Sequence, residues 1–140
     1  MLSGIFFPRS TRKKRERCIR DFVADVNAGR LDRMAQFLTE DFEYVDVSGN
    51  RTVSRSEFLS MDTEFRRATG DPQITIGSIV HHDDEVLVKG HMGTGIKEVR
   101  GETFWRIFFD ADRMCRAEVT RAEGQLTMPV FAARARAMRA

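Results

Sequence analysis

A chain of 140 residues with 41% hydrophobic side chains and 11 phenylalanines can bury one core of ordinary size and is too short for several domains. Its formal net charge of +2 is small but unevenly spread, with basic residues gathered at both ends and acidic ones between them. No run approaches the roughly 20 apolar residues of a membrane span, and the two cysteines, Cys18 and Cys115, show neither a CxxC nor a metal-ligand spacing.

Residues 1–12 lack periodicity, contain Pro8, and are expected to form a mobile basic arm. Their apolar start is short, and the positive charges follow it instead of preceding it, which is the wrong order for a secretory signal. Arg9, Arg12, Lys13, Lys14, Arg15, Arg17 and Arg20 crowd this end, and Arg134, Arg136 and Arg139 close the other. No aromatics are interleaved among these N-terminal basic residues, so solvated tails are expected and nucleic acid is not an expected partner. Two isolated thiols fit a reducing cytosol. A soluble cytoplasmic protein with no membrane association is the resulting expectation.

The spacing of Ile19, Phe22, Val23 and Val26 predicts a helix over 13–28, and Gly29 is placed to end it in the left-handed conformation. Leu31, Met34, Ala35 and Leu38 repeat the pattern in a second, shorter helix. A strand over 42–47 follows, closed by Ser48-Gly49-Asn50, and on it Phe42, Tyr44 and Asp46 share one face. Ser54-Arg-Ser-Glu57 is a capping box that opens a helix carrying Phe58, Met61, Phe65 and Ala68. Gly70-Asp71-Pro72 stops that helix.

Beyond Pro72 the period becomes two. Ile74, Ile76 and Ser78 alternate, His82-Asp83-Asp84 turns the chain, and Val86, Val88 and Met92 share a face on the return. Gly93-Thr-Gly95 is the next break, 99–109 the longest strand, Asp110-Ala-Asp112 a turn, and 114–122 the last strand. Residues 13–123 are read as a single domain, and 124–140 as an Ala- and Arg-rich tail, irregular or helical. Helices followed by a meander of strands indicate an α+β fold, with helices packed on a strongly curved antiparallel sheet. In the long strand Thr103, Trp105, Ile107 and Phe109 point one way, Phe104 and Phe108 the other. Both faces are apolar, so a homodimer through the outer sheet face is expected.

Asp46 is the strongest candidate for chemistry. Beside Phe42 and Tyr44 in an apolar pocket, its carboxyl would be desolvated into a usable general base; the competing reading is a strand-end carboxylate that satisfies turn amides. Tyr44 could donate its hydroxyl to a substrate oxygen or simply pack. Trp105 reads as pocket wall or core. Glu118, in mid-strand, would be a second acid or base if it faced inward. His91 shares its strand side with Leu87 and Lys89 and is expected on the outer face. His81 and His82 are adjacent on a strand end and point to opposite sides, so they do not share an ion. With no HExxH, P-loop, GxGxxG or nucleophile elbow, no metal and no cofactor are expected.

The segment Asn27-Ala-Gly-Arg-Leu-Asp-Arg-Met-Ala-Gln-Phe-Leu-Thr-Glu-Asp-Phe-Glu-Tyr-Val-Asp46 resembles the opening of the nuclear transport factor 2-like superfamily. Residues 53–58 and Gly101-Glu-Thr-Phe-Trp-Arg-Ile-Phe-Phe-Asp-Ala-Asp-Arg113 resemble its later segments, and the likeness spans about residues 14–123. This group includes ketosteroid isomerases and SnoaL-like polyketide cyclases. The resemblance implies a cystatin-like, cone-shaped roll with an apolar pocket, lined here by Phe22, Phe42 and Trp105, and places Asp46 where the isomerases carry their general base. Phe22 stands where those isomerases have an oxyanion-stabilising tyrosine, and Trp105 near their protonated aspartic acid, which argues against steroid isomerisation itself. The function implied is binding of a small apolar molecule, with a cofactor-independent isomerase or cyclase activity on Asp46; the alternative is a non-catalytic ligand-binding or dimerisation module.

Overall fold

The computed structural model describes residues 8–140. Helix α1 (Arg9–Ala28) starts four residues before the periodic stretch, because Pro8 sits at its N-cap position, where a missing N–H costs nothing. Residues 9–12, expected in a mobile arm, are therefore helical, and residues 1–7 lie outside the described residues. Gly29, at φ 71°, closes α1 in the left-handed conformation and leads directly into α2 (Leu31–Gln36).

The next segment departs from expectation. Strand β1 runs Leu38–Asp46, four residues earlier than its alternation suggests. Leu38 fits a helical stripe equally well, but it pairs with Met114 and is fully buried there, so tertiary pairing decides its state. A short β2 (Arg51–Thr52) turns back on β1. Helix α3 (Arg55–Ala68) opens with the expected box: Ser54 Oγ accepts from the Glu57 amide at 3.1 Å, while the Glu57 carboxylate reaches back to the Val53 amide at 3.3 Å. The meander follows as β3 (Gln73–His82), β4 (Glu85–Gly93), β5 (Gly101–Asp110) and β6 (Arg113–Thr120). The tail is a helix, α4 (Met128–Arg139), capped by Thr127.

The strands form one sheet in the order β2-β1-β6-β5-β4-β3. It is antiparallel except where β1 lies parallel to β6, the chain having returned from the far edge. Bulges in β1, in β3 between Ile76 and Ser78, and in the β5–β6 pair between Phe108 and Phe109 bend it. Ile19, Phe58, Phe65, Val86, Ile107 and Met114 are among the side chains that α1, α3 and the concave face bury together. This is an α+β fold of helices packed on a curved, mostly antiparallel sheet. Helix α4 is tied to α3 by the Phe65–Phe131 ring contact and by Arg136–Glu57 and Arg139–Glu64 ion pairs.

Candidate functional site

The concave face and the helices leave a cavity of about 80 Å³. Its walls are almost wholly apolar: Phe22 and Val26 from α1, Phe42 from β1, Phe58 and Phe65 from α3, Val88 and Met92 from β4, Met114 from β6 and Met128 from α4. The polar groups on this lining come chiefly from Tyr44, Asp62, Arg66, Trp105, Arg121 and Thr127.

Trp105 owes its position to a close approach. A Cβ on Gly90 would lie 3.0 Å from the Trp105 ring and 2.7 Å from the Thr75 carbonyl oxygen, so only glycine lets the indole and β3 approach β4 so closely there. The indole Nε1–H then donates to the Tyr44 hydroxyl at 2.9 Å. Tyr44 is held from its other side by Phe58, edge-on at 5.3 Å. Because the tyrosine oxygen accepts from Trp105, its own O–H remains to donate, and it makes no such bond to the described residues. Burial raises the Tyr44 pKa, the Trp105 bond opposes this, Asp62 pushes further up and Arg121 pulls down. The hydroxyl stays protonated and feels an anion and a cation of the same cavity.

Asp62 lies one turn from Phe58 and close to Phe65 along α3, so its carboxyl shares their inward stripe. It is half-buried, lining both the cavity and a shallower groove that it shares with Leu31, Met34, Arg67 and Asp71. It accepts no hydrogen bond from the described residues. Burial lifts its pKa from the ordinary 3.8 to about 6; the Arg66 guanidinium opposes the rise and Asp71 adds to it. Arg66 spends its charge on Asp71, at 2.6 Å. Arg121 sits beyond Tyr44, bonded to Thr103 Oγ1 and to the carbonyls of Glu98, Val99 and Leu126. Burial lowers its pKa.

Of the residues expected from sequence, Phe22, Phe42, Tyr44 and Trp105 line this cavity. Asp46 does not. Its Oδ1 accepts from the amides of Ser48 at 2.8 Å and Asn50 at 3.0 Å, and its Oδ2 from the Asn50 side chain at 2.8 Å. It is the turn carboxylate of the competing reading, because the β1–β2 hairpin needs those amides satisfied. Glu118 is also corrected: it lies on the outer face, bridging Arg106 at 3.4 Å and Arg116 at 3.8 Å. His91 is exposed on that face, and His81 turns toward Glu16 of α1 at 3.1 Å while His82 turns to Glu85. No group of three metal-ligating side chains occurs among the described residues. No helix there is long and apolar enough to cross a membrane.

Sequence reasoning missed Asp62 and Arg121, although both left a signal. Asp62 is a carboxylate four residues after Phe58 and three before Phe65, and Arg121 continues the inward period of Ala117 and Val119. Residues 19–127 match the family model described as a SnoaL-like domain. The chain belongs to the SnoaL-like family. Among solved structures it resembles a candidate ketosteroid isomerase from Kribbella flavida DSM 17836, at 18% identity over 79% of this chain and 80% of that one, with a TM-score of 0.68. A candidate polyketide cyclase from Sinorhizobium meliloti matches at 13% identity, 74% and 93% coverage and a TM-score of 0.67. An NTF2-like protein of unknown function from Cytophaga hutchinsonii matches at 11%, 94%, 99% and 0.65. No curated protein matches. At these identities the likeness establishes the nuclear transport factor 2-like fold, and the SnoaL-like match ends just before α4.

Proposed function

We propose that this SnoaL-like protein binds a small apolar molecule and moves a proton next to a carbonyl in it without a cofactor, as an isomerase or cyclase. The observation that carries this reading is the pairing of Asp62 and Tyr44 in one apolar cavity. A carboxyl with a pKa of about 6 is ionised enough at neutrality to accept a proton and acidic enough to return it. In this scheme Asp62 takes the proton from carbon, and the Tyr44 hydroxyl donates to the carbonyl oxygen as it gains negative charge. Trp105 acts on the substrate through Tyr44: its N–H fixes the hydroxyl and polarises it toward donation. The place given to Asp46 by family position passes to Asp62, on a helix instead of a strand.

The cavity is about half the ~150 Å³ in which a dry engineered cavity holds benzene. A ring therefore enters by displacing the flexible walls Met92, Met114 and Met128. The outer sheet face carries Val80, Leu87 and Phe104, each more than a third exposed, among ion pairs of both signs such as Arg106–Glu85 and Lys89–Glu102. An exposed apolar patch of this kind supports a homodimer.

The test is α-proton exchange of cyclohexanone in D2O, followed by NMR. The protein should accelerate exchange, Asp62→Asn should remove the acceleration, and Tyr44→Phe should reduce it roughly a hundredfold. Exchange no faster than in buffer, with binding intact, would leave the non-catalytic ligand-binding reading in its place.

A further inference from the structure

Two cations line the cavity, and they differ in what neutralises them. Arg66 is paired with Asp71. Arg121 makes four hydrogen bonds, to one hydroxyl and three carbonyl oxygens, and has no ion pair among the described residues. A guanidinium presents five N–H groups, so one of them is left over. Neutral oxygens satisfy the donors without cancelling the charge, and a half-buried cation without a counterion is unfavourable. Asp62 forms no ion pair with Arg121 among the described residues, and the Tyr44 hydroxyl feels both charges.

We propose that the pocket selects an apolar molecule carrying an anionic oxygen group, a carboxylate or an enolate, with Arg121 as its counterion and Tyr44 donating to the adjoining oxygen. The inference rests on the small-molecule pocket proposed above and specifies its ligand class. A ligand so anchored places its acidic oxygen at Arg121 and the rest of its skeleton against the apolar walls.

Trp105 is the only tryptophan of the chain and lies on the cavity wall, so its fluorescence reads occupancy directly. Titration at neutral pH with benzoate and with its neutral isostere benzamide separates charge from shape. The full chain is expected to bind benzoate roughly tenfold to a hundredfold more tightly, the range of a charge-assisted hydrogen bond. Arg121→Gln should bring the two affinities together. Arg121→Lys, which keeps the charge, should retain part of the preference and serves where the glutamine variant fails to fold. Equal binding of the two probes by the wild-type protein, or a preference that survives Arg121→Gln, overturns the proposal and leaves the apolar pocket standing. Binding of neither probe overturns both. A benzoate preference without proton exchange keeps the ligand class and overturns only the catalytic reading.

Discussion

Replacing Asp62 by asparagine is expected to stabilise the protein at neutral and alkaline pH while abolishing proton transfer. The folded carboxyl has its pKa at about 6 against an ordinary 3.8, so the fold holds a proton there that the unfolded chain has already released. Stability is therefore fully present below pH ~4 and declines as pH rises through about 6, the direction for an acid whose folded pKa is raised. A difference of this size corresponds to about 3 kcal/mol, an upper value because the carboxyl keeps some surface toward the cavity. Arg66 on the same helix already offsets part of the burial cost, Asp71 adds to it, and Tyr44 on β1 stays protonated throughout. Asparagine has nearly the same shape and no charge to desolvate. Urea denaturation followed by Trp105 fluorescence across pH 4 to 8 should show wild type and Asp62→Asn alike at the acid end. They should separate by up to about 3 kcal/mol at the alkaline end, or roughly 10 °C in Tm for a chain of this length. Parallel pH profiles, or an asparagine variant less stable than wild type at pH 8, would refute the burial argument and with it the case for Asp62 as a tuned base.

Tyr44→Phe leaves the Trp105 indole N–H without its partner; a loss of about 1–3 kcal/mol and a displaced emission maximum are expected, and an unchanged spectrum would contradict the bond. Gly90→Ala forces a methyl group against the Thr75 carbonyl and the Trp105 ring, at a cost of about 3 kcal/mol in urea denaturation; a neutral result would mean that β3 and the indole shift freely. Phe104→Asp places a charge in the exposed apolar patch of the outer face and should turn a dimer into a monomer by sedimentation velocity, without loss of far-ultraviolet circular dichroism. A wild-type monomer at micromolar concentration would remove the dimer.

Much of the fold was written in local signals that tertiary structure had no reason to oppose. The Ser54 cap, the left-handed Gly29 and the period-two alternation after Pro72 each act within a few residues, and each took the form expected. Where β1 begins was different, since Leu38 satisfies a helical and an extended pattern alike and only its pairing with Met114, 76 positions on, selects one. The candidate site divides along the same line. Phe42, Tyr44 and Trp105 could be placed from strand parity. The carboxylate could not, because strand parity gives Asp46 and Tyr44 the same face but says nothing of the hairpin that follows. That hairpin turns within four residues and must satisfy the amides of Ser48 and Asn50; Asp46 is the nearest acceptor and is used up by it. Asp62 has no turn to serve. It stands on a regular helix, four residues after Phe58 and three before Phe65, and lines the cavity without a hydrogen bond from the described residues. The residue freed from structural duty is the one left with an unmet need for a proton, and that need is what makes a buried carboxyl useful as a base.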